Sequence, residues 1–294
     1  MTSSGRPRSS ESMETGPECI PCLLRHARDL ARNNLPGPDR EIFYMAVMDR
    51  LARFDRKNPP PLFAGEMYRV LERMAGIPDP YAGQKDSSNR RALRLVSRLE
   101  KVISSFPDPV EAALRIAVAG NIVDFGVNDA PGCGLEETVD RALRSRFAVD
   151  CTAELLMRLR GEGSVLYIGD NAGEIVLDRL FIQRIRPSRV IFAVRSAPII
   201  NDATILDARQ AGLTGVCTVV ESGSPVSGTP LELCTEEFRE LFFSSGIVIS
   251  KGQGNFETLS GSGREVFHLL VAKCPVIASR TGAPMGSFIA LKEG

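Results

Sequence analysis

The hydrophobic period of this chain changes once, near Gly163, and that change limits the folds open to it. Before it, apolar residues recur at helical spacing. Cys22, Leu23, His26, Ala27 and Leu30 share one face behind Pro21, which suits a first helical turn. Ile42, Phe43, Ala46, Val47 and Leu51 make a second stripe. Met67, Val70, Leu71 and Met74 make a third after Pro59-Pro60-Pro61, and Leu93, Val96, Leu99 and Ile103 a fourth. Asp108-Pro109 reads as an N-cap and N1 pair that opens a fifth helix running to Gly120. After Gly163 the apolar residues come instead as short β-branched runs: 164–168, 190–194, 216–220, 247–250, 266–272 and 287–291. Such runs, alternating with helical or Gly-rich segments, predict a mainly parallel sheet covered on both faces. Cys274-Pro275 opens a helix between the last two. The expected architecture is α/β, with a helical bundle at 18–160 preceding the sheet domain at 161–294. Residues 1–17, rich in Ser, Gly, Pro and Arg and without an apolar h-region, read as a disordered leader and not a signal peptide.

Composition removes several function classes. Thirty-six basic and 36 acidic residues cancel, so no global field steers the chain to nucleic acid or to an anionic membrane. Its apolar runs are too short to cross a bilayer. Seven cysteines, an odd number spread over 294 residues, argue against a secreted disulfide framework and for reduced thiols in the cytoplasm. Sequence alone leaves the oligomeric state open.

In an open α/β sheet, ligands bind beyond the carboxyl ends of the strands, and three polar stretches fall there. They are Gly169-Asp170-Asn171-Ala172-Gly173-Glu174, Asn201-Asp202-Ala203-Thr204 and Lys251-Gly252-Gln253-Gly254-Asn255. Two carboxylates and a carboxamide are hard oxygen ligands, suited to Mg²⁺ or Mn²⁺; with only two histidines, a His-rich zinc site is excluded. A lysine between glycines, with its neighbouring N–H groups, suits a phosphate. Each loop also has a local explanation. Asp202 is a possible cap for a helix near Thr204, Asp170-Asn171 a possible Asx turn, Glu174 a first-turn acid, and Gly252 and Gly254 ordinary turn glycines. Three such loops at one edge point to a shared site. A dinucleotide fingerprint fails because Glu257 stands in place of its third glycine, and a haloacid-dehalogenase pattern fails at Ala172; there is no P-loop.

Five ordered motifs then resemble the metal-dependent damage-control phosphatases, once catalogued as a domain of unknown function. They are Glu18-Cys19-Ile-Pro-Cys22, Gly120-Asn121-Ile-Val-Asp124-Phe-Gly126, Asp170-Asn171-Ala-Gly173-Glu174, Asn201-Asp202-Ala-Thr204 and Lys251-Gly-Gln-Gly-Asn255-Phe-Glu257. The N-terminal Cys-x-x-Cys is similar to that of the mainly prokaryotic subfamily. The resemblance implies a three-layer α/β/α domain with an N-terminal helical domain. It also implies a divalent cation (Mn²⁺, Co²⁺, Ni²⁺ or Mg²⁺) on Asp170, Asn171 and Asp202, with Glu174, Lys251, Gly252, Gly254 and Asn255 contacting substrate. The substrate expected is a small phosphorylated metabolite: a sugar phosphate, a phosphopantetheine-like compound or a damaged nucleotide. The Arg-Thr-x-Lys motif of the eukaryotic sugar-phosphate branch is missing, since Arg280-Thr281 precedes Gly282 and Ala283.

The expected reaction is phosphomonoester hydrolysis by water activated at the cation, with Lys251 offsetting phosphoryl charge and Asp170 as nucleophile a variant. An S-adenosylmethionine-dependent carboxyl methyltransferase and a non-catalytic nucleotide- or sugar-binding module are the rival readings. Asn121 and Asp124 either reach the site or form the turn after a bundle helix. Cys19 and Cys22 either hold a second metal, act in redox chemistry, or are structural thiols.

Overall fold

The computed structural model describes residues 13–121, 135–161 and 163–294, so Asp124 lies outside the described residues. Three helices open the chain: α1 (Cys19–Asn34), α2 (Gly37–Arg53) and α3 (Pro60–Ala75). Leu30, Phe43, Phe63 and Met67 meet in a core of their own, completed by Ile199 from a distant loop. Prolines start α2 and α3, as the fixed φ of proline favours.

Next come α4 (Ala82–Ser104), α5 (Pro109–Ala119), α6 (Leu135–Arg144), β1 (Val149–Asp150) and α7 (Thr152–Leu159). Asp108 caps α5 by accepting from the N–H groups of Val110 and Glu111 at 2.9 and 3.1 Å. The remaining elements alternate: β2 (Val165–Ile168), α8 (Glu174–Ile182), β3 (Val190–Val194), α9 (Ile205–Gln210), β4 (Thr218–Glu221), α10 (Glu236–Ser244), β5 (Ile247–Lys251), α11 (Gly252–Leu259), β6 (Val266–Val271), α12 (Pro275–Thr281) and β7 (Phe288–Glu293). The described strands form one sheet in the order β1-β7-β6-β5-β2-β3-β4, parallel except for the β6–β7 pair.

Alternation along β2 shows how the sheet separates two layers. Tyr167 packs with α4, α5 and α8 on one face, while Leu166 and Ile168 pack with α10 on the other. The α/β/α layering is as the residues imply, but the boundary expected at residue 160 is not where the packing divides. Leu99, Ile116 and Leu155 belong to the same core as Tyr167 and Phe192, and β1 pairs with β7. Of the described helices in the expected bundle, α1–α3 pack in a cluster apart from that core. Part of the segment expected as a leader through Pro17 packs against the fold. Met13 is buried with Phe256, Leu270 and Ile277, and Thr15 bonds the carbonyls of Arg56 and Asn58. An apolar side chain and a paired backbone give those residues reasons to be ordered that composition does not register.

Candidate active site

After β2 the chain runs to one side of the sheet through β3 and β4, then returns to β5 on the other side of β2. This reversal opens a crevice beyond the carboxyl ends of β2 and β5, the usual ligand position in such sheets. Asp170 and Asn171 leave β2, Asp202 follows β3, and Lys251 ends β5, so the structure brings the three expected loops together.

The first two loops are joined through their backbones. Ala203 N–H donates to Asp170 O at 2.7 Å and Ala172 N–H to Asn201 O at 2.9 Å, and Asn171 and Asp202 form an isolated antiparallel bridge. Ile200 sits at φ 46° in the turn before Asp202, a conformation rare for a β-branched residue and a form of strain that clusters at functional sites. Asp202 is not the cap of α9. Thr204 takes that position, its hydroxyl donating to Asp207 at 2.8 Å within a capping box. Asp202, buried at 2% exposure, instead accepts from Arg195 Nε at 2.8 Å and from Ser227 Oγ at 3.1 Å. Burial holds its carboxyl above the usual range, with Arg195 opposing.

Asp170 is crowded by acids. Burial first, then Glu174 and Asp202, push its carboxyl well above the usual range. Its Oδ2 accepts from Asn171 Nδ2 at 2.7 Å and from Asn121 Nδ2 at 2.9 Å. The same two amides donate to Glu174 Oε2 at 3.0 and 3.1 Å. Asn121 thus reaches the site from the end of α5. Gly252 has φ 78°, and a Cβ there would stand 1.8 Å from Asp170 Oδ2. Only glycine lets this turn lie against the carboxylate.

Lys251 departs from expectation. Its ammonium does not face an open phosphate position. It is fully buried and donates to Ala117 O at 2.8 Å, Glu174 Oε1 at 2.8 Å and Asp178 Oδ1 at 2.5 Å. Burial works to lower its pKa, but the two carboxylates raise it above the ordinary lysine value. Glu174, expected to contact substrate, likewise has both oxygens occupied. Burial would raise its pKa, yet the Lys251 charge keeps it below the usual range. Asp178, bonded also by Tyr167 OH at 2.7 Å, is pushed up to about 6 by burial against the pull of Lys251. Asn255 is turned inward, donating to Gly169 O and Lys251 O while its oxygen accepts from Arg195 and Thr229. Gly254 packs against Ser227 and Gly228.

Asp178, Arg195 and Ser227 take part with no motif to announce them. Lys273 is exposed just after β6, and its charge lowers the pKa values of both Asp170 and Glu174. The signal available was position, since β6 runs parallel to β5 and ends at the same sheet edge. Asp178 stands one helical turn beyond Glu174, a spacing that puts both carboxylates on one face of α8.

The donor set fits a hard cation. The buried acids Asp170, Glu174, Asp178 and Asp202 outnumber the buried cations Lys251 and Arg195 beside them. Asn121 Oδ1 is buried without a hydrogen-bond partner. Among the described residues no three His, Cys, Asp or Glu side chains are gathered as a metal site by themselves, so an ion here needs amide oxygens besides Asp170 and Asp202. Cys19 is buried and Cys22 exposed at the start of α1, both as free thiols. Burial raises both pKa values, and Cys274 and Glu257 lie within electrostatic reach of each. Among the described residues, no helix is long and apolar enough to cross a membrane.

Residues 15–289 match the damage-control phosphatase ARMT1-like domain. Damage-control phosphatase PH1575 of Pyrococcus horikoshii is 32% identical over 284 residues, covering 94% of this chain and 97% of that protein. A damage-control phosphatase of Archaeoglobus fulgidus is 28% identical over 95% of this chain and 99% of its own length. The crystal structure of a DUF89 family protein from P. horikoshii superposes with a TM-score of 0.85 at 30% identity, covering 96% of this chain and all of that one.

Proposed function

This chain belongs to the ARMT1-like damage-control phosphatase family, and from that membership and the crevice geometry we propose that it hydrolyses small phosphorylated metabolites with one divalent cation. The observation that carries the reading is the excess of buried carboxylate around Asp170 and Asp202, next to an orphaned amide oxygen. Sugar phosphates, phosphopantetheine-like compounds and damaged nucleotides are the substrate classes to test. The cation itself is one of Mn²⁺, Co²⁺, Ni²⁺ or Mg²⁺, with Asp170, Asn171 and Asp202 as its holders. When bound, such an ion supplies Lewis acidity toward phosphoryl oxygens and acidifies water.

The chain's own groups do the rest. Lys251 acts behind the site, keeping Glu174 ionised. The phosphate-facing charge is assigned to Lys273, which stands exposed where its field reaches Asp170. The first turn of α11 adds backbone N–H donors, since no side chain caps that helix; uncapped N–H groups at a helix start suit a phosphate. Arg195, tied to Asp202 and Asn255, holds two of the loops in register.

Replacing Lys273 tests this division of labour. Lys273→Met is expected to lower kcat/KM for phosphate esters by about 10²–10³, the typical loss for one charge-stabilising donor, and to weaken inhibition by inorganic phosphate. Because the side chain is exposed, the melting temperature should be unchanged. Unaltered kcat/KM and phosphate inhibition would remove Lys273 from the site.

A further inference from the structure

The oxygen of Asn121 is the unexplained atom of this site. The residue is only 2% exposed, and its Oδ1 has no partner. Its orientation is set by charge: Nδ2 donates to Asp170 Oδ2 and Glu174 Oε2, and reversing the amide would press an acceptor against two carboxylate oxygens. Asn171 is held in the same way, donating to the same two atoms. Both amides therefore direct their oxygens away from the carboxylates. Glu174 is the shared post. Lys251 donates to its other oxygen and to Asp178, which also accepts from Tyr167 OH. A buried acceptor left unpaired is costly, and a hard cation is the partner a carboxamide oxygen beside an aspartate takes.

We propose that Asn121 Oδ1 is a ligand of the divalent cation, and that Glu174 is the positioning residue that turns the oxygens of Asn121 and Asn171 toward it. The assignment rests on the cation-dependent reading of the site. It adds a ligand from the turn that follows α5, outside the strand-end loops, so that ion binding ties the end of a covering helix to the sheet edge. Glu174 then acts through the two amides and touches neither substrate nor ion.

The test is binding without substrate. Chelated full-length protein is titrated with Mn²⁺, and the free ion is followed by electron paramagnetic resonance, with circular dichroism melts to confirm folding. Asn121→Ala and Asn121→Leu, both without the oxygen, are each expected to weaken Mn²⁺ binding by about tenfold or more. Glu174→Gln should cost about 10–100-fold, as partners that orient ligands typically do. Should Asn121→Ala not fold, Asn121→Leu fills the space without an oxygen and gives the same comparison. If the oxygen-free variant binds within twofold of the parent while Asp170→Ala does not bind, the ligand assignment is wrong and the site reading stands. Loss in Asn121→Ala but parent-like affinity in Asn121→Leu also overturns the assignment, because packing then explains the loss. If the parent binds none of Mn²⁺, Mg²⁺, Co²⁺ or Ni²⁺, the site reading fails and takes the assignment with it.

Discussion

A lysine ammonium without exposed surface must spend its N–H donors inside the protein, and Lys251 spends them on Ala117, Glu174 and Asp178. Removing one partner from a buried charge pair strands the other, at about 3–5 kcal/mol. Lys251→Met should therefore destabilise the fold by that order in urea unfolding, besides impairing the site. Stability equal to the parent would show that the carboxylates do not depend on the lysine. At this scale the sequence disclosed which residues gather and misjudged which way they point. Lys251 between a strand and a glycine reads as a phosphate donor, because nothing local records that Asp178 waits one turn beyond Glu174. Arg195 was equally hidden, since an arginine ending a strand looks like an ordinary solvated charge until Asp202 and Asn255 close over it.

Among the elements, the period change near Gly163 made the strands legible, because β-branched runs buried on two faces have few other uses. Val190–Val194 is placed as expected, and Thr218–Glu221 begins two residues later than its apolar run. The two-residue β1 is too short to leave a period, and the antiparallel direction of β7 depends on a turn, not on its composition. Nor could amphipathic stripes reveal that α4 and α5 cover the sheet while α1–α3 pack on one another. The α1–α3 cluster meets the loop after β4 at Gly65 of α3, where an added Cβ would lie 2.4 Å from Val226 Cγ1. Ser227, the next residue in that loop, donates to Asp202. Gly65→Ala should therefore push the loop, costing about 1–3 kcal/mol of stability as overpacking does, and weaken Mn²⁺ binding several-fold. Val226→Ala should relieve both effects in the double variant. A double-mutant cycle in stability and Mn²⁺ affinity measures the coupling, and strict additivity would mean that the helix does not support the site through this contact.

For the whole molecule, a net charge of zero conceals a concentrated negative interior at the crevice beside β2. Position at the strand ends was legible from the three polar loops. The strand order was not, because the crossing between β2 and β5 that opens the crevice is a property of the assembled sheet. Lys273 comes within electrostatic reach of Asp170 by that route, through β6 lying beside β5. The central claim is that this crevice hydrolyses phosphate esters only with a divalent cation on Asp170 and Asp202. Its most direct test is phosphate release from a panel of sugar phosphates, phosphopantetheine-like compounds and nucleotides, using chelated protein to which Mn²⁺, Co²⁺, Ni²⁺ or Mg²⁺ is restored in turn. The account predicts no release without metal, release with at least one of the ions, and none from folded Asp170→Ala or Asp202→Ala. Undiminished release by the chelated protein, or by either variant, would contradict it.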